Sequence, residues 1–150
     1  MTVRTAVLAV DPGGAHVGLA GWNEGEGRVS TEISADAAVG AVKNALIGYK
    51  LVADRVVLVL EEFRLYGHKA QAQSWSTMDT SEMIGALKYV ASELGVEVVE
   101  QGAGIKKPTA RQLRARGIDR EGVGGHARDA ELHLLHYCLK EGLCRNAKSL

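Results

Sequence analysis

The sequence predicts a single α/β domain, and three observations carry that prediction. Strand-like and helical segments alternate along most of the chain, and the internal run RVVLVL at 55–60 is apolar almost throughout. A hydrophobic content of 46% over 150 residues suffices for one compact core and is too little for two. A near-continuous β-branched and leucine run is the pattern of a strand buried on both faces, as in a parallel sheet with helices on either side.

The elements follow in order. TAVLAV at 5–10 and VGLAGW at 17–22 are strand-like runs joined by a Gly-rich turn, and RVSTEI at 28–33 alternates as a third, so the chain opens as an antiparallel meander. Between Ala35 and Ala53 the residues Ala38, Val39, Val42, Leu46 and Ile47 recur at helical spacing and feed the strand at 55–60. Residues 64–78 read as a long polar loop. Asp79 with Glu82 three residues later forms a capping-box-like start for a helix that Gly95 ends, and VEVV at 96–99 is a fifth strand. Pro108 stands near the start of a short helix that Gly117 ends. A last helix begins near Gly125 or His126 and stops around Gly142.

Eighteen basic and eighteen acidic residues cancel, so no global field draws the protein to nucleic acid or membrane, and any such partner must meet a local patch. Cys138 and Cys144 have no second pair, which fits neither a zinc site nor a disulfide framework and points to a reducing, intracellular compartment. The apolar run before Asp11 is too short for a signal-peptide core or a membrane span, so a soluble cytoplasmic protein is expected.

Two of the hydrophobic strands end on acid: VLAV runs into Asp11 before a Pro-Gly-Gly turn, and VVLVL runs into Glu61 and Glu62. Asp before Pro-Gly is ordinary turn punctuation when met once. If the two strands are neighbours, however, their ends lie about 5 Å apart, and carboxylates that close repel unless a cation sits between them. A hard divalent metal is the simplest resolution, with Glu61 favoured over Glu62 as the first residue past the apolar run.

The last helix adds His126 and Asp129, three residues apart in its first turn and on one face, where the helix N-terminus favours an ionised carboxylate. On a helical wheel His126, Asp129, His133, His136 and Lys140 share an arc of about 80°. For His133 and His136 a solvated or groove-facing stripe is expected. No HExxH or cysteine pattern accompanies them, which excludes a typical zinc site.

AVDPGGAHVGLAGW, VLVLEEF and HARDAELHLL together resemble the three acidic motifs of the RuvC family of Holliday-junction resolvases, within the ribonuclease H-like superfamily. Motif order and spacing agree from residue 5 to 142, and the small neutral chain is more similar to a phage-type member than to a typical bacterial one. The resemblance implies a five-stranded mixed sheet, three antiparallel strands then parallel ones, flanked by helices, in one nuclease domain over residues 1–150. It implies that Asp11, Glu61, His126 and Asp129 bind two Mg²⁺ or Mn²⁺ ions, with Asp11 bridging, roughly 3.5 to 4 Å apart astride the scissile phosphate. It further implies a homodimer that cleaves four-way junctions in double-stranded DNA to leave 5′-phosphates, in the host cytoplasm if phage-encoded. Resolvases of this type carry a wedging aromatic three residues after the catalytic Glu, where this chain has Arg64; Phe63, Tyr66 and Trp75 stand nearby.

DNA binding needs a cationic face, and residues 106–128 hold seven basic residues, Lys106, Lys107, Arg111, Arg114, Arg116, Arg120 and Arg128, against Asp119 and Glu121. Arg111 and Arg114 share one face of the helix, which could equally be a solvated basic face. Arg64 and Lys69 add charge, and Tyr66 and Trp75 add stacking surfaces for unpaired bases. A broader flap or fork nuclease and a catalytically silent junction-binding protein are the alternatives to a resolvase.

Overall fold

The computed structural model describes residues 2–62, 75–119 and 123–143, with side chains from residue 80 onward in the middle segment. Phe63, Arg64, Tyr66, Lys69, the side chain of Trp75, Arg120, Glu121 and Cys144 lie outside the described residues.

One sheet contains β1 (Thr5–Asp11), β2 (His16–Asn23), β3 (Gly27–Ser34), β4 (Arg55–Glu61) and β5 (Glu97–Gln101), in spatial order β3-β2-β1-β4-β5. The first three strands pair antiparallel, and β4 and β5 join β1 in parallel. The helices are α1 (Ala35–Val52), α2 (Trp75–Leu94), α3 (Lys106–Ala115) after a 3₁₀ turn at Ala103–Ile105, and α4 (Gly125–Lys140). This is the mixed α/β sheet expected from the sequence.

Two boundaries differ from expectation. The second helix begins at Trp75, not near Asp79, so Asp79 lies inside it; Ser76 and Thr77 look like loop composition, yet their modest helix propensity is easily overridden by the continuing helix. The fifth strand runs on to Gln101 because its parallel pairing with β4 continues through the polar residues Glu100 and Gln101 to the end of that strand.

The two-residue period of the strands sorts their side chains onto two faces. Leu8, Val10, Leu58 and Leu60 pack with Val42 and Leu46 of α1 and Leu87 and Ala91 of α2. Val7, Ala9, Val57 and Val59 point the other way and pack with Ala130, Leu134, Tyr137 and Cys138 of α4. A smaller cluster of Leu113, Leu132 and Leu135 joins α3 to the back of α4. Each fully buried leucine contributes about 1.5–3 kcal/mol, so α4 is held from both sides. Continuing the alternation, Asp11 and Glu61 fall on the face that α4 covers.

A buried ion pair sets the position of α4 on that face. Arg28 Nη1 lies 3.1 Å from Glu131 Oε1, with both side chains at most 5% exposed, and Arg28 Nη2 donates to the Ile118 carbonyl at 2.7 Å. The pair ties β3 both to α4 and to the segment entering it.

Candidate active site

The register places the site on one row across the sheet. Glu32 pairs with Gly18, Gly18 with Asp11, and Glu61 with Gln101, while one step beyond the Val10–Leu60 pair brings Asp11 beside Glu61. The N-terminal turn of α4 lies over this row because Gly18 has no side chain: a Cβ there would stand 1.8 Å from the His126 carbonyl oxygen. Gly13 likewise leaves room for the His126 ring, which a Cβ would meet at 2.8 Å. Glu32 Oε2 accepts the His126 backbone N–H at 3.0 Å, so a strand carboxylate serves one of the otherwise unpaired amides of the helix N-terminus.

His126 Nδ1 lies 2.6 Å from Asp11 Oδ2. The Lys106 ammonium, at the start of α3, donates to Glu61 Oε2 at 2.8 Å and to Asp129 Oδ2 at 2.9 Å. His133 Nε2 lies 3.0 Å from the same Glu61 oxygen, and Gln101 Nε2 reaches both His133 Nδ1, at 3.1 Å, and the His133 carbonyl, at 2.9 Å. All four expected acid-site residues, Asp11, Glu61, His126 and Asp129, thus gather where β1, β4 and α4 meet. Glu62 is one residue beyond the strand, its carboxylate near Gly102.

The electrostatics are lopsided. Burial pushes the Asp11 carboxyl up to about 6, with the Glu61 carboxylate adding to the rise and the His126 contact opposing it. Burial acts on Glu61 in the same direction, but hydrogen bonds with His133 and Lys106 overcome it and hold that carboxyl down at about 2. Burial disfavours the charge on Lys106 too, yet Asp129 and Glu61 keep its ammonium well above the usual lysine range. The cation that paired strand-end carboxylates require is therefore, in part, a lysine of this chain.

Among the described residues, no three His, Cys, Asp or Glu side chains stand close enough as placed to hold a metal ion. The donor types nonetheless suit a hard divalent cation: Asp11, Glu61 and Asp129 supply carboxylate oxygens and His126 an imidazole, and burial holds the Asp11 carboxyl above its ordinary value, a cost that a bound cation would offset.

The chain resembles two solved structures over nearly its full length. A Thermus thermophilus RuvC structure matches with a TM-score of 0.62 and 18% identity, covering 91% of this chain and 96% of that one. T. thermophilus RuvC in complex with a Holliday junction substrate matches with a TM-score of 0.61 and 20% identity, covering 92% and 96%. The chain has the RuvC fold. No family model matches the sequence, and no curated protein matches it.

The other expected residues are spread along this RuvC-like scaffold. Lys107, Arg111 and Arg114 form an exposed stripe at helical spacing on α3 and, with Lys106, Ala110 and Leu132, line a shallow groove of about 470 Å³; of these residues Lys106 also contacts Glu61 and Asp129. Arg116 is exposed just past α3, and Arg128 is engaged with Asp119 at 2.6 Å. Lys106, expected on the basic face, in fact bridges that face and the acidic site.

His133 corrects an expectation, whereas His136 faces a groove beside Tyr137 and Lys140, as expected. His133 is fully buried, not solvated, and His136 is half-buried with Nδ1 3.3 Å from Thr109 Oγ1. His133 faces inward because α4 is wedged between the sheet and α3. Gln101, Glu32, Arg28, Gly13 and Gly18 were not evident as site residues in the sequence. The only available signal was Glu131, a carboxylate on the apolar side of the last helix, which demands a buried cationic partner.

Proposed function

We propose that this chain is a divalent-metal-dependent, structure-specific endonuclease that cleaves branched DNA, resolving four-way junctions as a homodimer. The observation that carries the reading is the placement of Asp11 and Glu61 at the ends of adjacent parallel strands, under the turn of α4 that bears His126 and Asp129, on a RuvC fold.

Asp11, Glu61, Asp129 and His126 would hold the metal. When bound, Mg²⁺ or Mn²⁺ supplies positive charge for the scissile phosphate and lowers the pKa of water to make a nucleophile. The side chains do the rest. Asp11, buried between the other donors, is the residue both halves of the site share, and His126 keeps its carboxylate oriented at 2.6 Å. Glu61 stays ionised throughout the physiological range, held at about 2 against burial chiefly by hydrogen bonds with His133 and Lys106. Lys106 offsets the repulsion between the acids and an incoming phosphate, and Lys107, Arg111 and Arg114 carry the DNA backbone toward them along the groove. Hydrolysis on this pattern leaves 5′-phosphate and 3′-hydroxyl ends.

The test is an end-labelled four-way junction incubated with the protein in EDTA, Mg²⁺ or Mn²⁺, beside flap, fork and linear duplexes. Paired symmetric nicks in the junction, dependent on metal, are expected. Equal cutting of flaps and forks without symmetry would replace the resolvase by a broader nuclease, and tight junction binding without nicks under any ion would leave a silent binding protein.

A further inference from the structure

Gln101 and His133 are both buried, at 8% and 0% exposure, and neither is one of the four acid-site residues. Gln101 stands directly beside Glu61 on the neighbouring strand, so both side chains rise on the face that α4 covers. Its amide nitrogen lies 2.9 Å from the His133 carbonyl oxygen, which can only accept. That contact fixes which end of the amide is NH₂. The same nitrogen lies 3.1 Å from His133 Nδ1, so its second hydrogen is directed there and Nδ1 accepts. An accepting Nδ1 carries no proton. The ring proton is therefore on Nε2, aimed at Glu61 Oε2 at 3.0 Å.

We propose that Gln101 and His133 form a buried brace in which the glutamine selects the imidazole tautomer and the imidazole, as an obligate donor, fixes the orientation of the Glu61 carboxylate. His133 is a positioning residue: it acts through Glu61. Lys106 reaches the same oxygen from a long flexible stem and 23% exposed, whereas the His133 side chain is fully enclosed. The ammonium can leave for a phosphate; the imidazole cannot, so the carboxylate keeps its orientation when the lysine moves. Outer partners that orient a ligand typically change metal affinity by about 10–100-fold. The inference rests on the metal-site reading above.

The test uses the full-length chain and two readouts. In metal-free protein with ¹⁵N-labelled histidine, two-bond ¹H–¹⁵N spectra are expected to show His133 as the Nε2–H tautomer in wild type and to lose that single form in Gln101→Leu. Titration calorimetry with Mg²⁺ and Mn²⁺ is expected to show affinity weakened by about tenfold in His133→Leu, which fills the space without donating. In His133→Gln, whose amide can donate from near the Nε2 position, affinity should return to within about threefold of wild type, a rescue that a packing role would not give. Should His133→Leu fail to fold, Gln101→Leu, which keeps the histidine, serves in its place with the same direction of change. An Nδ1–H form in wild type, or unchanged ion affinity in a folded His133→Leu, overturns the brace. A wild type that binds no divalent ion sinks the nuclease reading instead, and the brace is then decided by the imidazole spectrum, which needs no ion.

Discussion

Replacing Asp11 by Asn should make the metal-free protein more stable while abolishing cleavage. Asp11 is 4% exposed, and its carboxyl is raised from 3.8 to about 6, first by burial and then by Glu61. The folded state therefore holds a proton more tightly than the unfolded chain. Above pH 6 the carboxylate is ionised in both states and the full cost is present; it fades as pH falls from 6 toward 3.8. A shift of about two units corresponds to ~3 kcal/mol at pH 7.5. Asn has the same shape, keeps an acceptor for His126 and carries no charge, so after some weakening of that hydrogen bond the variant should gain about 1–3 kcal/mol. For a domain of this size that is roughly 3–10 °C in Tm. Thermal unfolding followed by circular dichroism in EDTA at pH 7.5 should show this gap, and the gap should close toward pH 4. Saturating Mg²⁺ should stabilise wild type, by about 2.7 kcal/mol at 100 times Kd, and leave the variant nearly unmoved. If Asp11→Asn is the less stable protein in EDTA at pH 7.5, or gains as much from Mg²⁺ as wild type does, the account of Asp11 as a strained carboxylate awaiting a cation is wrong.

Three further outcomes are expected. Glu61→Gln should cut junctions slower by on the order of 100-fold or more, as for loss of several kcal/mol of metal-held stabilisation, whereas Glu62→Gln should stay near wild type; the reverse order in single-turnover rates would make Glu62 the ligand. Neutralising Lys107, Arg111 or Arg114 should weaken junction binding and lower the slope of log K against log salt by about 0.9 for each phosphate no longer neutralised, and identical slopes by fluorescence anisotropy would make α3 a bystander. His126→Asp should retain metal-dependent cleavage and move its preference from Mn²⁺ toward Mg²⁺, since an all-oxygen donor set suits the harder ion; His126→Ala cutting as fast as wild type with both ions would remove His126 from the site.

The strands were legible because burial leaves a period, whereas their order across the sheet came from the family resemblance and not from any local pattern. RVVLVL reads as a covered strand from its length and β-branched content, and the same alternation that hides Val57 and Val59 under α4 carries Glu61 to the same side. Asp11 and Glu61 stood out as acids interrupting an apolar pattern, and His126 and Asp129 as a polar pair opening a helix. What the sequence concealed were residues defined by their partners. Gln101 is an ordinary polar residue until parallel pairing with β4 sets it beside Glu61. His133 read as surface because a wheel shows only one helix, and the second wall against α4 is supplied by α3, whose packing on Leu132 and Leu135 no local pattern announces. Gly18 is legible only once the His126 backbone is known to lie on it.

The contact between Asp11 and His126 spans 115 positions of sequence, and α4 follows all five strands in the chain. During synthesis the sheet therefore emerges before the helix that both covers its second face and completes the acid cluster. At roughly 5–20 residues per second, β1 is outside the ribosome for several seconds before α4 can reach it. Over that interval Trp22, Val57 and Val59 lack the α4 side chains that cover them in the folded domain, so an apolar sheet face stays open to water until the last helix docks. The same order of events also delays the acid cluster. A nascent or misfolded chain has the strand carboxylates but not their helix-borne partners, so the four side chains come together only in a molecule that has closed its core.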